Sequence, residues 1–139
     1  MNTENIITRL SEHHIKPSVH RMAVLRYLMS HRTHPTADMI YTALQPEMPT
    51  LSKTTVYNIL KLLAEKGAVQ ILTIDEKNVR FDGDITPHAH FQCRTCEKVY
   101  DLPAEINKTV ACFHTEGLTI DEMQLYCKGY CKNCMQRPK

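Results

Sequence analysis

The sequence predicts an α+β chain in two parts. Three observations carry that expectation. Apolar residues recur at helical spacing through the first two-thirds, two short strand candidates close that region, and two Cys-x-x-Cys pairs stand in the last third. The 139 residues suffice for one ordinary domain or two small ones. The apolar and charged fractions, 42% and 23%, are those of a globular protein, not of a disordered tail.

Ile6, Ile7 and Leu10 give a short amphipathic stretch at the N-terminus. Lys16-Pro17-Ser18 breaks it, and Ser18 is placed to cap a helix carrying Met22, Leu25, Leu28 and Met29. After His34-Pro35, Thr36 caps a third stretch with Ile40, Tyr41 and Leu44. Pro46 and Pro49 mark a loop. Ser52 then caps the clearest helix, LSKTTVYNILKLLAEKG, with Val56, Ile59, Leu60 and Leu63 as its apolar stripe and Gly67 as its stop. Strands are expected at 69–74 and 78–82, joined by Asp75-Glu76-Lys77. Three helices and a hairpin, with the last helix polar on one side, form the pattern of a winged helix-turn-helix over residues 1–82.

Residues 83–87 read as a hinge, and residues 88–139 as a second domain. Strands are expected from His88 to Cys93, from Lys98 to Leu102 and from Leu118 to Tyr126. A helix is expected from Pro103 to about Thr115.

No apolar run approaches the ~20 residues that cross a bilayer, and the opening MNTENIITRL has no apolar core of a secretory leader. A cytoplasmic protein with no membrane partner is expected. In that compartment six cysteines, four of them in close pairs, point to metal rather than disulfides. The net charge of +2 announces no partner, because the basic residues are spread through both halves.

Cys93 and Cys96 form one pair and Cys131 and Cys134 the other. Two such pairs complete a tetrahedron of thiolates around Zn²⁺, a closed arrangement that staples a fold and performs no catalysis. Buried free cysteines or a redox-active pair are the plainer alternatives. The histidines of PHAHFQCRTC belong elsewhere. In an extended strand His88, His90 and Gln92 point one way, and Phe91 and Cys93 the other. A His-x-His strand is a common start for a metal site, but two merely hydrogen-bonded histidines explain it as well. Asp82, Asp101 and His34 could add ligands. Each also has a duller role, as a turn residue, a helix cap before Pro103, and a loop histidine before proline. Spacing alone does not choose.

With these residues in view, the chain resembles the ferric uptake regulator (Fur) family of bacterial metal-dependent repressors. The resemblance runs through His34-Pro35-Thr36-Ala37-Asp38, Ile40-Tyr41, Thr55-Val56-Tyr57, Arg80-Phe81-Asp82, His88-x-His90 and both cysteine pairs. It implies a homodimer with an N-terminal winged helix and a C-terminal α/β dimerisation domain, binding a palindromic AT-rich operator in double-stranded DNA. It also implies a regulatory site of His34, Asp82, His88, His90 and Asp101. Three imidazoles and two carboxylates, with no thiolate, suit Fe²⁺ or Mn²⁺.

The set is most similar to the peroxide-responsive (PerR) branch: Asp82 stands where iron sensors usually carry Glu, and Asn58 where many carry Arg. That branch implies iron-catalysed oxidation of a histidine ligand, here His34 or His88, while an iron-responsive uptake repressor is the alternative. Pro87, Ala89 and a replaced histidine near Asp121 imply that no third metal site exists. The run 126–130 is longer than usual and adds Cys127.

On the helix after Ser52, Tyr57 can pack on thymine methyls and Asn58 can bond adenine with two contacts. Lys53, Thr54, Thr55 and Lys61 suit phosphates, which orient without reading sequence. A merely solvated face is the alternative. Cys112 reads as buried; Cys127 could pair with it on oxidation. His13, His14, His20, His31 and His114 read as surface or capping residues. A zinc deaminase would need His-x-Glu before its cysteine pair. Here His90 follows His88 at that spacing, so no enzyme is expected.

Overall fold

The structure is a computed structural model that describes residues 3–103, 113–120 and 122–135. The chain divides into two compact units, Met1–Ile85 and Thr86–Lys139. No helix among the described residues is long and apolar enough to cross a membrane.

The first unit holds α1 (Thr3–Glu12), α2 (Val19–Ser30), α3 (Ala37–Leu44), α4 (Lys53–Glu65), β1 (Gln70–Leu72) and β2 (Arg80–Asp82). The expected amphipathic start is a full ten-residue helix that buries Ile6 and Leu10. The predicted caps are present: the hydroxyls of Ser18, Thr36 and Ser52 accept the amides of Arg21, Met39 and Thr55 at 3.1, 3.2 and 3.1 Å. Each satisfies an otherwise orphaned donor of the first turn.

At the far end of α4, Gly67 takes φ +78°, the left-handed region glycine adopts without a Cβ penalty. Its amide donates to Ala64 O at 3.0 Å and that of Ala68 to Leu63 O at 2.8 Å, the paired bonds of a Schellman stop. Val24, Leu25, Leu28, Ile40, Val56, Ile59, Leu60 and Leu63 close one apolar core with α1. Their i, i+3, i+4 spacing puts each set on one helix face.

β1 and β2 pair antiparallel, with Gln70 opposite Asp82 and Leu72 opposite Arg80. Both strands are shorter than the sequence predicts. The turn between them is held by Asp75, which accepts the Lys77 amide at 2.9 Å and the Arg80 Nε at 3.0 Å. Burial pushes the Asp75 carboxyl up, but the Lys77 amide and Arg80 outweigh it and hold it below the ordinary carboxylate range. Arg9 ties α1 to both ends of the hairpin, donating to Ala68 O at 2.9 Å and Gly83 O at 2.8 Å.

The second unit holds β3 (Ala89–Cys93), β4 (Val99–Leu102) and β5 (Tyr126–Gly129) in the order β4-β3-β5. β4 runs antiparallel to β3, with His90 opposite Asp101; β5 runs parallel, with His90 opposite Tyr126. The last strand begins where the sequence predicts it to end. The stretch 118–126 reads as a strand in the sequence, but Leu118 is 75% exposed, and the ladder with β3 starts only at Tyr126. The helix expected from Pro103 falls mostly on residues 104–112, outside the described residues. Residues 113–115 are irregular.

Candidate metal centres

Cys93 ends β3, Cys96 lies in the turn behind it, and Cys131 and Cys134 follow β5. Their four sulfurs all lie within 4.8 Å of one another. Cys96 Sγ and Cys131 Sγ are 3.8 Å apart. Two sulfurs bound at about 2.3 Å to one tetrahedral zinc are separated by roughly 3.8 Å, so the donors fit the ion. The amides of Cys96 and Cys131 donate to Cys93 Sγ at 3.5 and 3.4 Å.

Burial pushes the Cys93 thiol up, but the amides of Cys131, Cys96 and Thr95 outweigh it and bring it down to about 6. Cys134 is pushed up to about 12, first by its bond to Cys131 and then by burial. Four thiolates this close repel, and a divalent cation removes that conflict. Tyr100 on β4 bonds the Cys131 sulfur, and its hydroxyl is pushed up to about 12 by that bond first and by burial second. This supporting partner went unread in the sequence, because only the β3–β4 pairing brings it to the cysteines.

The other face of β3 carries imidazoles, as the alternation predicts. Asp101 Oδ1 lies 3.1 Å from His88 Nε2 and 3.4 Å from His90 Nε2, and the two rings stand 4.4 Å apart. His88 Nδ1 lies 2.6 Å from the Thr86 carbonyl. A carbonyl only accepts, so Nδ1 carries the proton and donates. Nε2 therefore turns to Asp101, the arrangement by which an outer partner fixes the tautomer of a ligating histidine. One carboxylate oxygen and two Nε2 atoms this close could all serve one divalent cation as ligands.

The first unit carries the pair His34 and Asp82, both buried, with Nε2 and Oδ2 3.4 Å apart. Two ligands held about 2.1 Å from one ion lie roughly 3.0–3.5 Å apart, whereas charge-assisted hydrogen bonds run about 2.7–2.9 Å. The 3.4 Å separations match the distance between two ligands of one ion.

The surroundings orient both residues. Asp82 Oδ1 accepts the Asp84 amide at 2.9 Å, leaving Oδ2 toward His34. Asp84 itself pairs with Arg32. Gly83 is fixed by space: a Cβ there would stand 2.6 Å from the Leu28 carbonyl oxygen. His34 takes φ +55° although it precedes proline, a position that ordinarily favours extended backbone. Left-handed backbone at a non-glycine costs about 1–3 kcal/mol and persists where its surroundings enforce it. Here Phe81 N donates to Pro35 O at 3.0 Å, Arg80 Nη1 donates to His34 O at 3.0 Å, and Thr36 bridges to Arg80.

Of the five predicted regulatory ligands, the first unit brings together His34 and Asp82, and the second His88, His90 and Asp101. The sequence pattern of the ferric uptake regulator family matches residues 12–128. The chain belongs to that family. It is 36% identical over 138 residues to the peroxide-responsive repressor PerR of Staphylococcus aureus (strain Mu50 / ATCC 700699), covering 96% of this chain and 92% of that protein. The structure of PerR from Streptococcus pyogenes matches with a TM-score of 0.53 and 31% identity, over 96% of this chain and 92% of that one. The Fur protein of Helicobacter pylori shares the fold, with a TM-score of 0.78 at 20% identity over 100% and 97% of the two chains.

The residues expected from the sequence to meet DNA lie on α4. Lys53, Thr54, Tyr57, Asn58 and Lys61 are exposed on it, and Tyr57 is open to solvent over half its surface. Thr55 has a second role besides the phosphate contact expected of it. It is half-buried, and its hydroxyl lies 2.8 Å from that of Ser52, so it serves the cap. Lys53 lies 3.5 Å from Asp38 and over the Tyr41 ring. His13 and His31 meet the helix-end carbonyls of Lys66 and Tyr27 at 3.0 Å each, the capping role read for them. Cys127 is exposed on β5; Cys112 and Asp121 lie outside the described residues.

Proposed function

We propose that this Fur-family chain is a metal-dependent, homodimeric, DNA-binding repressor that senses peroxide. Residues 1–82 read the operator, 83–87 act as the hinge, and 88–139 carry the dimer contacts and the structural zinc. The observation that carries this reading is the donor set. Each unit presents an incomplete nitrogen–oxygen group, two donors from His34 and Asp82 and three from His88, His90 and Asp101. Neither group fills the coordination of Fe²⁺ or Mn²⁺, and together they supply five ligands of the right chemistry. The absence of a thiolate among them separates this site from the zinc cluster.

An ion that needs both groups favours the arrangement of units that supplies both. Across a dimer that arrangement sets the spacing of the two α4 helices against consecutive half-sites of a palindrome. Metal affinity and DNA affinity are thereby linked. On α4, Tyr57 and Asn58 face bases, and Lys53, Thr54 and Lys61 face phosphates.

The 36% identity with a peroxide-responsive repressor supports the sensing role. When bound, ferrous iron would give one electron to hydrogen peroxide and take one back from the ring, so the iron is not consumed. His34 and His88 are the rings that take the oxygen: one peroxide oxygen enters a ring carbon and the other leaves as water. An oxygenated imidazole is a poor ligand, so the five-donor set falls short and the operator is released.

The deciding experiment is mass spectrometry of the iron-loaded protein after mild peroxide. The expected result is one added oxygen on His34 or His88, with DNA release in step. Oxidation confined to cysteines and methionines would leave an iron-responsive uptake repressor as the correct reading.

A further inference from the structure

Arg80 lies between the hairpin turn and the strained residue of the first unit. Its Nε meets Asp75 Oδ2 at 3.0 Å and its Nη1 donates to the His34 carbonyl at 3.0 Å. Asp75 accepts the Lys77 amide through its other oxygen at 2.9 Å. The two charged side chains are shielded, 14% and 4% exposed. A guanidinium holds its N–H groups in a rigid plane, so it spans two acceptors with little further ordering; an ammonium has no such fork.

His34 needs such a hold. Its left-handed backbone sets the direction of its side chain, and therefore whether Nε2 faces Asp82. Beside the α3 cap at Thr36, the backbone of the 34–36 segment is held from β2: Arg80 on the His34 carbonyl, the Phe81 amide on Pro35, and the bridge from Thr36. Of these, only Arg80 also reaches the hairpin turn.

We infer that Arg80 is a positioning residue that couples the turn at 75–77 to the ring of His34. The inference rests on the reading that His34 is a ligand of the regulatory ion. With Arg80 in place, His34 Nε2 is aimed before the ion arrives, so less ordering remains to oppose binding. Coupling is reciprocal. An ion that favours the aimed ring also steadies Arg80, Asp75 and the Lys77 amide. The hairpin tip thus registers whether the metal site is filled, although it donates no ligand.

The test uses the full-length, zinc-loaded protein, with Mn²⁺ alone as probe. Changes to residues that orient a metal ligand weaken binding by roughly 10–100-fold, and Arg80→Gln is expected to fall in that range with its zinc content unchanged. Arg80→Lys, which keeps the charge and loses the fork, recovers only part. Asp75→Asn leaves the bond to His34 and removes the other anchor, so a smaller loss is expected. Hydrogen exchange at the Lys77 amide slows on adding Mn²⁺ to the unaltered protein and does not slow in Arg80→Gln.

Arg80→Gln binding Mn²⁺ as tightly as the unaltered protein, while His34→Ala binds it poorly, overturns the inference and leaves the site reading standing. A Lys77 amide indifferent to Mn²⁺ in the unaltered protein also overturns it. His34→Ala binding Mn²⁺ normally overturns the site reading itself. Should Arg80→Gln fail to fold, Asp75→Asn and the amide measurement decide.

Discussion

The four sulfurs come from two turns of a single unit, while the nitrogen and oxygen donors are divided, His34 and Asp82 in one unit and His88, His90 and Asp101 in the other. The sulfur cluster has its full set of donors, amides aimed at Cys93, and Tyr100 on Cys131. An ion there fastens the C-terminal turn to the β3–β4 hairpin and has no state to report. The nitrogen–oxygen donors make two partial sets, each oriented by its own neighbours: Thr86 behind His88, the Asp84 amide behind Asp82, and Arg80 behind His34. The sulfur site ties together one fold, whereas on the proposed function the nitrogen–oxygen donors would favour one arrangement of two folds over another. The difference lies in where the ligands sit along the chain, more than in the metal.

The largest expected effect tests the first half of that contrast. Cys131→Ser should empty the sulfur site and cost the second unit its sheet. Structural zinc is worth about 10–16 kcal/mol in small zinc-binding peptides near neutral pH, comparable to the ~5–15 kcal/mol stability of a whole domain. Zinc content and circular dichroism measure it. A zinc-free variant that keeps the sheet would make the cluster dispensable.

Next comes Gly83→Ala, which presses a methyl against the Leu28 carbonyl beside Asp82. Overpacking costs about 1–3 kcal/mol, to be read from urea unfolding. Mn²⁺ binding should weaken while zinc content holds. Equal losses of both metals would erase the distinction between the sites.

The smallest effect concerns acid. The Asp75 carboxyl lies below its ordinary value of 3.8 in the folded chain, because the Lys77 amide and Arg80 outweigh burial. The unfolded chain therefore takes up the proton first as pH falls. The stabilisation is complete above the unfolded value and fades as pH drops through the folded one. Asp75→Asn should remove this part of the acid sensitivity of the first unit, seen as a flatter series of urea midpoints between about pH 5 and 2, and leave neutral-pH zinc retention unchanged.

Much of this was legible along the chain, because the signals are local. Ser18, Thr36 and Ser52 cap helices by bonds to residues three positions on. Gly67 stops α4 by its own φ, and the alternation of β3 separates His90 from Cys93. What could not be read depends on distant pairs. Arg9 joins residues 68 and 83, Arg80 meets the carbonyl of residue 34, and Tyr100 reaches Cys131. Nothing in the spacing of an arginine or tyrosine announces a partner so far along the chain. β5 was misplaced for the same reason: its start is set by pairing with His90, far away along the chain. The contact between the Thr55 and Ser52 hydroxyls also went unread, although the two residues stand only three positions apart.

The most direct measurement is operator binding by zinc-loaded His34→Ala protein, with and without saturating Mn²⁺. On the proposed function the unaltered protein gains DNA affinity with Mn²⁺, and removing one donor of the divided set should abolish that gain, with zinc and fold intact. A His34→Ala protein that gains the same affinity from Mn²⁺ contradicts a metal shared between the two units.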